Sequence, residues 1–487
     1  MTRRLVLFET RRLLRNPLLW GVAVAAVAAQ LDANWYWMPD WSVETVDITG
    51  AVLLIAAMIL LTANVSTSRD TRHHMDESLA ALPGRPDHRT RSVAAAAMLV
   101  GVLISSAAIG AYLAIRLAQG PSAGTFDPLE ALGGVAAVAA AGAFGVALGR
   151  WLPGLFAGPV LIALLGLLTL LNRNLGGFGG WFLPLVLHRG PDWGVRPAGT
   201  HLMYLVAGGT LLTTLAMLRH RFRPAELAVA IGALALTAAA GTAASATSGL
   251  EKMVVDPRTK AEVVSPRLPE RYAGTAAREC VRRDAVTYCA FPEYVSWIPL
   301  WAAVVTPIVE AVPPAARERL PVVRQSTASW SQLDRDPRTA PTWMVWGRGN
   351  AQPAYRDMLA GDFASLATGL AAPDRCDARG QARTVIGLWL VGQATGTIPE
   401  ARPLKIDISQ SGTGEAAVAK STILGQLYGG AESGYAQRLL ARSDSRARIW
   451  ANWSTLLSPT TTIDQALPLL GLAPEFDSEA VQEEPCE

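Results

Sequence analysis

Up to about Ser248 the chain is a succession of apolar runs separated by short polar gaps, and beyond it no apolar run is long and clean enough to span a bilayer. A hydrocarbon core of ~30 Å takes about 20 apolar residues in a helix. Seven stretches fit that length: Pro17–Trp37, Ile48–Thr67, Ser92–Ala114, Leu132–Gly149, Leu152–Leu171, Leu202–Leu218 and Leu227–Ala246. The fifth is the cleanest. The seventh is the weakest, being more Ala than Leu, and the side of the membrane on which residues 248–487 emerge depends on it. The pattern predicts an α-helical polytopic membrane protein with about seven transmembrane helices, a transmembrane domain over 17–247 and a separate domain over 248–487.

Ahead of the first span, "MTRRLVLFETRRLLRN" (1–16) reads as an amphipathic helix. Val6, Leu7, Leu13 and Leu14 share one side, and Arg4, Arg11 and Arg15 line the other. Such a helix lies in the membrane interface with its Arg face towards headgroups or solvent.

Composition agrees with a membrane protein, at 51% hydrophobic, 17% charged and a mean hydropathy of +0.25. Up to Ser248 there are 18 Arg+Lys against 13 Asp+Glu, and beyond it 25 against 27. The basic excess thus belongs to the spans and is no nucleic-acid footprint. With the N-terminus inside, the internal segments 1–16, 68–91, the turn at Arg150 and 219–224 hold 14 Arg; the external loops up to His201 hold only Arg116, Arg173, Arg189 and Arg196. That asymmetry is the positive-inside pattern. An odd number of spans then makes residues 248–487 extracytoplasmic. The first apolar run lacks a signal-peptide cleavage site and is followed by further spans.

The internal loop Ser68–Arg91 is longer than a connection needs. Inside it, Asp70 can cap a short helix, Met75, Leu79 and Leu82 recur at helical spacing, and Pro83-Gly84 stops it. A short amphipathic helix with a charged rim suits a groove on a soluble partner. His73-His74, with Asp76 and Glu77, fits no firm zinc spacing. The bland reading of the loop is a solvated positive stretch that only orients the spans.

"FETRRLLRNPLLW" at Phe8–Trp20, and "RD" and "LAALPGRP" at Arg69-Asp70 and Leu79–Pro86, resemble segments of ABC-2 (type V exporter-like) permeases. The resemblance covers roughly 1–218. It implies that 1–16 is an elbow helix, with Glu9, Arg11, Arg12 and Arg15 as its signature. It implies that the second-to-third-span loop is a coupling helix docking on a separate ATP-binding subunit, through Arg69, Asp70, Arg72, Asp76, Glu77, Leu79 and Leu82. ATP and Mg²⁺ would belong to that partner, with no cofactor and no metal site in this chain. A second copy, or a homologous permease, would complete the pathway in a bacterial plasma membrane, in contact with its lipid. The large C-terminal domain and the seventh span depart from the minimal permease.

In that domain "RECVRRDAVTYCAF" folds about Asp284-Ala285 so that Cys280 faces Cys289, within bridging range. Cys376 and Cys486 are the remaining pair. Residues 255–269 read as an extended tether. Pro299, Pro307 and Glu310 make Tyr294–Val312 a broken helix of the domain core or membrane surface rather than a span. Helices are expected near Pro353–Leu370, Ala378–Thr395, Gly414–Tyr428, Glu432–Leu457 (with a break at Ser443) and Thr462–Leu470, giving a mainly α domain with a β-hairpin. All six histidines lie at or before His220, so the domain has no His for a catalytic triad or a zinc site. "GEAAVAKS" at Gly414–Ser421 misses the second Gly of a phosphate-binding loop and is read as coincidence.

The residues therefore point to the permease subunit of an ATP-driven transporter, an exporter of an amphipathic or hydrophobic compound or peptide. Two alternatives remain: a membrane-anchored sensor or assembly protein, and a polyprenyl-phosphate-dependent glycosyltransferase using acids of the first external loop, Asp32, Asp40, Glu44 and Asp47.

Overall fold

A computed structural model describes residues 2–72, 75, 86–174, 182–183, 196–247, 252–255, 262–265, 272, 277–326, 339–370, 376–398, 428–476 and 486. It divides into two compact units. Unit 1 comprises Met1–Trp35, Pro39–Gly120 and Gly124–Arg267; unit 2 comprises Tyr36–Met38, Pro121–Ala123 and Leu268–Glu487.

Unit 1 is helical. Helix α1 (Thr2–Leu14) and α2 (Pro17–Asn34) are bent by 58° at their junction. The bend has a local cause: the Asn16 side chain accepts the Leu18 N–H at 3.1 Å, and Pro17 takes the first helical position, where no N–H is needed. Then follow α3 (Trp41–Arg72), α4 (Pro86–Leu117), α5 (Pro128–Trp151), α6 (Ala157–Asn174), α7 (Ala198–Leu218) and α8 (Pro224–Thr247). At 32 residues each, α3 and α4 are about 48 Å long and outreach a hydrocarbon core.

Among the described residues six helices are long and apolar enough to cross a membrane: α3, α4, α5, α7, α8 and Pro292–Ala311; the bent α1–α2 pair makes a seventh if it counts as one span. The chain is a multi-pass helical membrane protein. One span differs from expectation. The fifth, the cleanest in sequence, starts only at Ala157, because residues 152–156 around Pro153-Gly154 are not helical, and its apolar part is short. The Ala-rich seventh, by contrast, is an unbroken helix of 24 residues.

Helix α5 sits closely against α3. A Cβ on Gly145 would fall 2.3 Å from the Leu60 carbonyl oxygen, and one on Gly149 2.9 Å from that of Asn64. Small residues four apart allow this approach, the usual device where lipid removes the hydrophobic drive between helices. Around the contact Val52, Ile55, Ile59, Val100, Val138 and Val146 are fully buried. Leu54, Leu103, Leu164, Ile231 and Leu234 are exposed, as lipid-facing positions of a membrane bundle are. Where an extended tether was expected, β1 (Lys252–Val255) and β2 (Glu262–Ser265) pair antiparallel.

Unit 2 is built on a four-stranded sheet of order β3-β4-β5-β6: β3 (Glu279–Arg283), β4 (Val286–Ala290), β5 (Val322–Ser326) and β6 (Thr339–Trp343). The β3–β4 hairpin has Cys280 opposite Cys289, and the two are disulfide-bonded. Asp284 supplies the positive φ of its turn, at 52°, which Asp tolerates better than most residues. The hairpin-only expectation is corrected here: β5 pairs parallel with β4, and β6 parallel with β5. Both strands are five residues long, and "TAPTW" contains a Pro that an edge strand accepts.

The core of unit 2 gathers Tyr294, Trp297, Trp301, Trp346 and Trp389. Pro292–Ala311 passes the length test for a span, yet it is a 3₁₀ turn (Pro292–Trp297) running into α9 (Ile298–Ala311), with Trp297, Trp301, Val305 and Ile308 all in this core. The later helices are α10 (Gln352–Ala367), α11 (Ala382–Thr395), α12 (Gly430–Ala441), α13 (Ser445–Ala451), α14 (Trp453–Leu456) and α15 (Ile463–Leu470). The expected break near Ser443 falls between α12 and α13. Of the helix expected at Gly414–Tyr428 only Tyr428 is described, and it is not helical.

Candidate functional site

The residues expected to contact an ATP-binding partner flank the segment between α3 and α4. Arg69, Asp70 and Arg72 form the last turn of α3, and the Met75 N–H donates to the Asp70 carbonyl at 3.0 Å. Asp76, Glu77, Leu79 and Leu82, with His73-His74, lie outside the described residues, as does Gly414–Ser421. What stands on either side of the segment is fixed by polar contacts.

On the α3 side, helix α1 is tied down through Arg12. Its guanidinium pairs with Glu9 one turn earlier at 3.2 Å and donates to the Ser66 hydroxyl of α3 at 2.9 Å. Arg4, Arg11 and Arg15 are exposed and Leu13 is buried, as an amphipathic helix requires. The division is imperfect, since Leu7 and Phe8 are exposed too. On the α4 side, the first turns of α4 are clamped to the α7–α8 connection. Arg223 pairs with Asp87 at 3.0 Å and with Glu226 at 3.4 Å, and Arg91 pairs with Glu226 at 2.6 Å. Thr90 Oγ1 and His220 Nε2 are 2.8 Å apart. Burial, then the nearby Arg150, hold His220 below the usual histidine range. These ion pairs are part-exposed, so each contributes modestly; together they fix where the segment starts and ends.

A second polar cluster occupies the opposite end of the same helices, and the sequence revealed only its acids. Arg116, in the last turn of α4, is fully buried. Its Nε donates to Glu44 Oε1 at 2.8 Å, a second guanidinium nitrogen bonds the same oxygen, and Nη1 donates to the Asn34 carbonyl at 2.9 Å and to the Gln119 amide oxygen. The other Glu44 oxygen accepts the Tyr112 hydroxyl. The Asn34 amide donates to Tyr112 at 2.8 Å and to Asp47 at 2.7 Å. The ends of α2, α3 and α4 are thereby joined by one charge-assisted network. Asp40 accepts the Ser42 N–H at 2.9 Å. Asp32 belongs to the last turn of α2 and is exposed.

No group of three or more His, Cys, Asp or Glu able to hold a metal ion occurs among the described residues. No family model matches the chain, and no curated protein or solved structure matches it.

Proposed function

We propose that the chain is the membrane-spanning permease subunit of an ATP-driven ABC transporter, exporting an amphipathic or hydrophobic compound or peptide, with ATP and Mg²⁺ bound by a separate subunit. The observation that carries this reading is the inner-end arrangement. An amphipathic elbow helix is hydrogen-bonded to α3 through Arg12 and Ser66, and the first turns of α4 are tied to the α7–α8 connection through Asp87, Arg91, Arg223 and Glu226. With the flanking helices held in this way, a motor docked between them would push on α3 and α4 as rigid levers.

Parity supports the orientation read from the Arg-rich segments. Tyr36–Met38, between α2 and α3, and Pro121–Ala123, between α4 and α5, belong to unit 2. The Met38 N–H donates to the Trp346 carbonyl at 2.9 Å, and the Trp297 indole to the Pro121 carbonyl at 3.1 Å. One folded unit lies on one side of a bilayer, so an even number of crossings separates these segments from each other and from residue 268. Helices α3 and α4 provide the first pair. The second interval is then read as α5, α6, α7 and α8, with the short α6 as a crossing. With the Arg-rich segments inside, the N-terminus is cytoplasmic and unit 2 extracytoplasmic, where its two disulfides are stable. Of the four acids named for the lipid-linked transferase reading, Glu44 has both oxygens engaged by Arg116 and Tyr112.

The test is purification of the tagged chain in mild detergent from its native host, with identification of what co-purifies in near-equal amount and an assay of ATP hydrolysis. An ATP-binding cassette partner is expected. Charge reversal at Arg72, Asp76 and Glu77 together is expected to release it and abolish transport while membrane insertion stays normal. Undiminished transport in that variant would reduce the loop to an orientation signal, and a chain that arrives alone and hydrolyses nothing would favour the sensor.

A further inference from the structure

The connection between α7 and α8 reads Arg219-His220-Arg221-Phe222-Arg223, and its three arginines stand in different surroundings. Arg223 is taken by Asp87 and Glu226. Arg219 and Arg221 are exposed and have no acidic partner among the described residues. The Arg219 guanidinium lies 5.8 Å from the Trp151 ring centre, and the Trp151 indole donates to the Leu215 carbonyl at 3.0 Å, which fixes the ring beside that connection.

Trp151 ends α5, and the α5–α6 connection after it exposes Phe156. At 82% and 78%, Phe156 and Phe222 are the most exposed large apolar side chains among the described residues. Rings left so open need an apolar cover. The surroundings are also electropositive: Arg150, Arg219 and Arg89 all act on His220 in the direction that disfavours its charged form, with Asp87 opposing. Guanidinium groups without an acidic partner among the described residues, an interfacial Trp and two uncovered Phe rings at the end of a transmembrane bundle match a ligand with a charged head and apolar tails.

We propose that the α5–α6 and α7–α8 connections form a binding site for an anionic phospholipid, whose headgroup phosphate pairs with Arg219 and Arg221 and whose acyl chains cover Phe156 and Phe222. The inference rests on the chain spanning a membrane and not on its being a permease. Guanidinium forks suit phosphate oxygens. Free phosphate would satisfy the arginines and leave both rings in water, so the lipid is the occupant.

The full-length chain, delipidated in a neutral detergent, is titrated with labelled phosphatidylglycerol and phosphatidylcholine, with inorganic phosphate as competitor. Phosphatidylglycerol should bind at least about tenfold tighter than phosphatidylcholine. Arg219→Gln/Arg221→Gln should weaken it roughly 30-fold, the factor for two basic contacts at an anionic surface. Arg319→Gln/Arg446→Gln, which removes two exposed charges from unit 2, should bind as wild type. Equal binding of the two lipids, undiminished binding by the Arg219/Arg221 variant, or displacement by inorganic phosphate at matching concentration overturns the site. Should that variant not fold, the wild-type preference decides alone: it must shrink as salt rises, and a salt-independent preference overturns the proposal.

Discussion

Arg116 puts a full charge at a fully buried position, and what it touches determines whether that is tolerable. Glu44 neutralises it, while Asn34 and Gln119 take remaining N–H groups. Removing one partner of such a pair leaves an uncompensated buried charge, at a cost of about 3–5 kcal/mol. Arg116→Met should therefore lower the unfolding temperature of the detergent-purified protein sharply. Glu44→Gln/Arg116→Met should recover most of the loss, since Gln can still accept from Tyr112. Equal damage in single and double variants would show that Arg116 contributes through packing rather than charge. Glu44 and Asp47 were visible in the sequence as acids of a short loop, but Arg116 looked like another loop charge. Its partner on α3 is 72 positions away, and no local pattern joins positions so far apart.

Among the elements, those fixed by local chemistry were legible and those fixed by distant packing were not. The hairpin register about Asp284, the N-terminal helix α1 and the break before α13 all follow from a few neighbouring residues. Strands β5 and β6 do not, because their parallel pairing depends on neighbours far along the chain and their sequences, "VVRQS" and "TAPTW", carry little alternation. The α3–α5 contact lies between these cases. Its glycines are plain in the sequence, but which of them meets a backbone is a tertiary fact. Gly145 does, 2.3 Å from the Leu60 carbonyl for an added Cβ, whereas Gly110 on α4 has nothing within 4 Å. Gly145→Val should thus force α3 and α5 apart and sharply reduce recovery of monodisperse protein. Gly110→Ala should be neutral or stabilise by up to about 1 kcal/mol through helix propensity. Size-exclusion profiles and unfolding temperatures separate the two, and a well-behaved Gly145→Val protein would refute the close contact.

For the whole chain, the question is how unit 2 holds residues that are far apart in sequence. Its two disulfides act on different scales. Cys280–Cys289 joins positions nine apart that the β3–β4 ladder already pairs. Cys376–Cys486 joins positions 110 apart and pins Cys486 beside α11. There the Cys486 carbonyl accepts from Arg383 at 2.8 Å and from Gln381 at 2.9 Å, and its N–H donates to Asp377 at 3.0 Å. In the chain-entropy account a crosslink stabilises by restricting the unfolded state, more so for a longer loop: about 3 kcal/mol for the short one and about 5 kcal/mol for the long one. Cys376→Ser/Cys486→Ser should accordingly lower the unfolding midpoint of unit 2 in the intact protein more than Cys280→Ser/Cys289→Ser, read by near-ultraviolet circular dichroism of its buried Trp residues. The hydrogen bonds to Cys486 should also weaken once the tail is free, which widens the gap. If the two double variants unfold alike, the tail is held by Arg383 and Gln381 alone, and Arg383→Met in the Cys376→Ser/Cys486→Ser background should then release it.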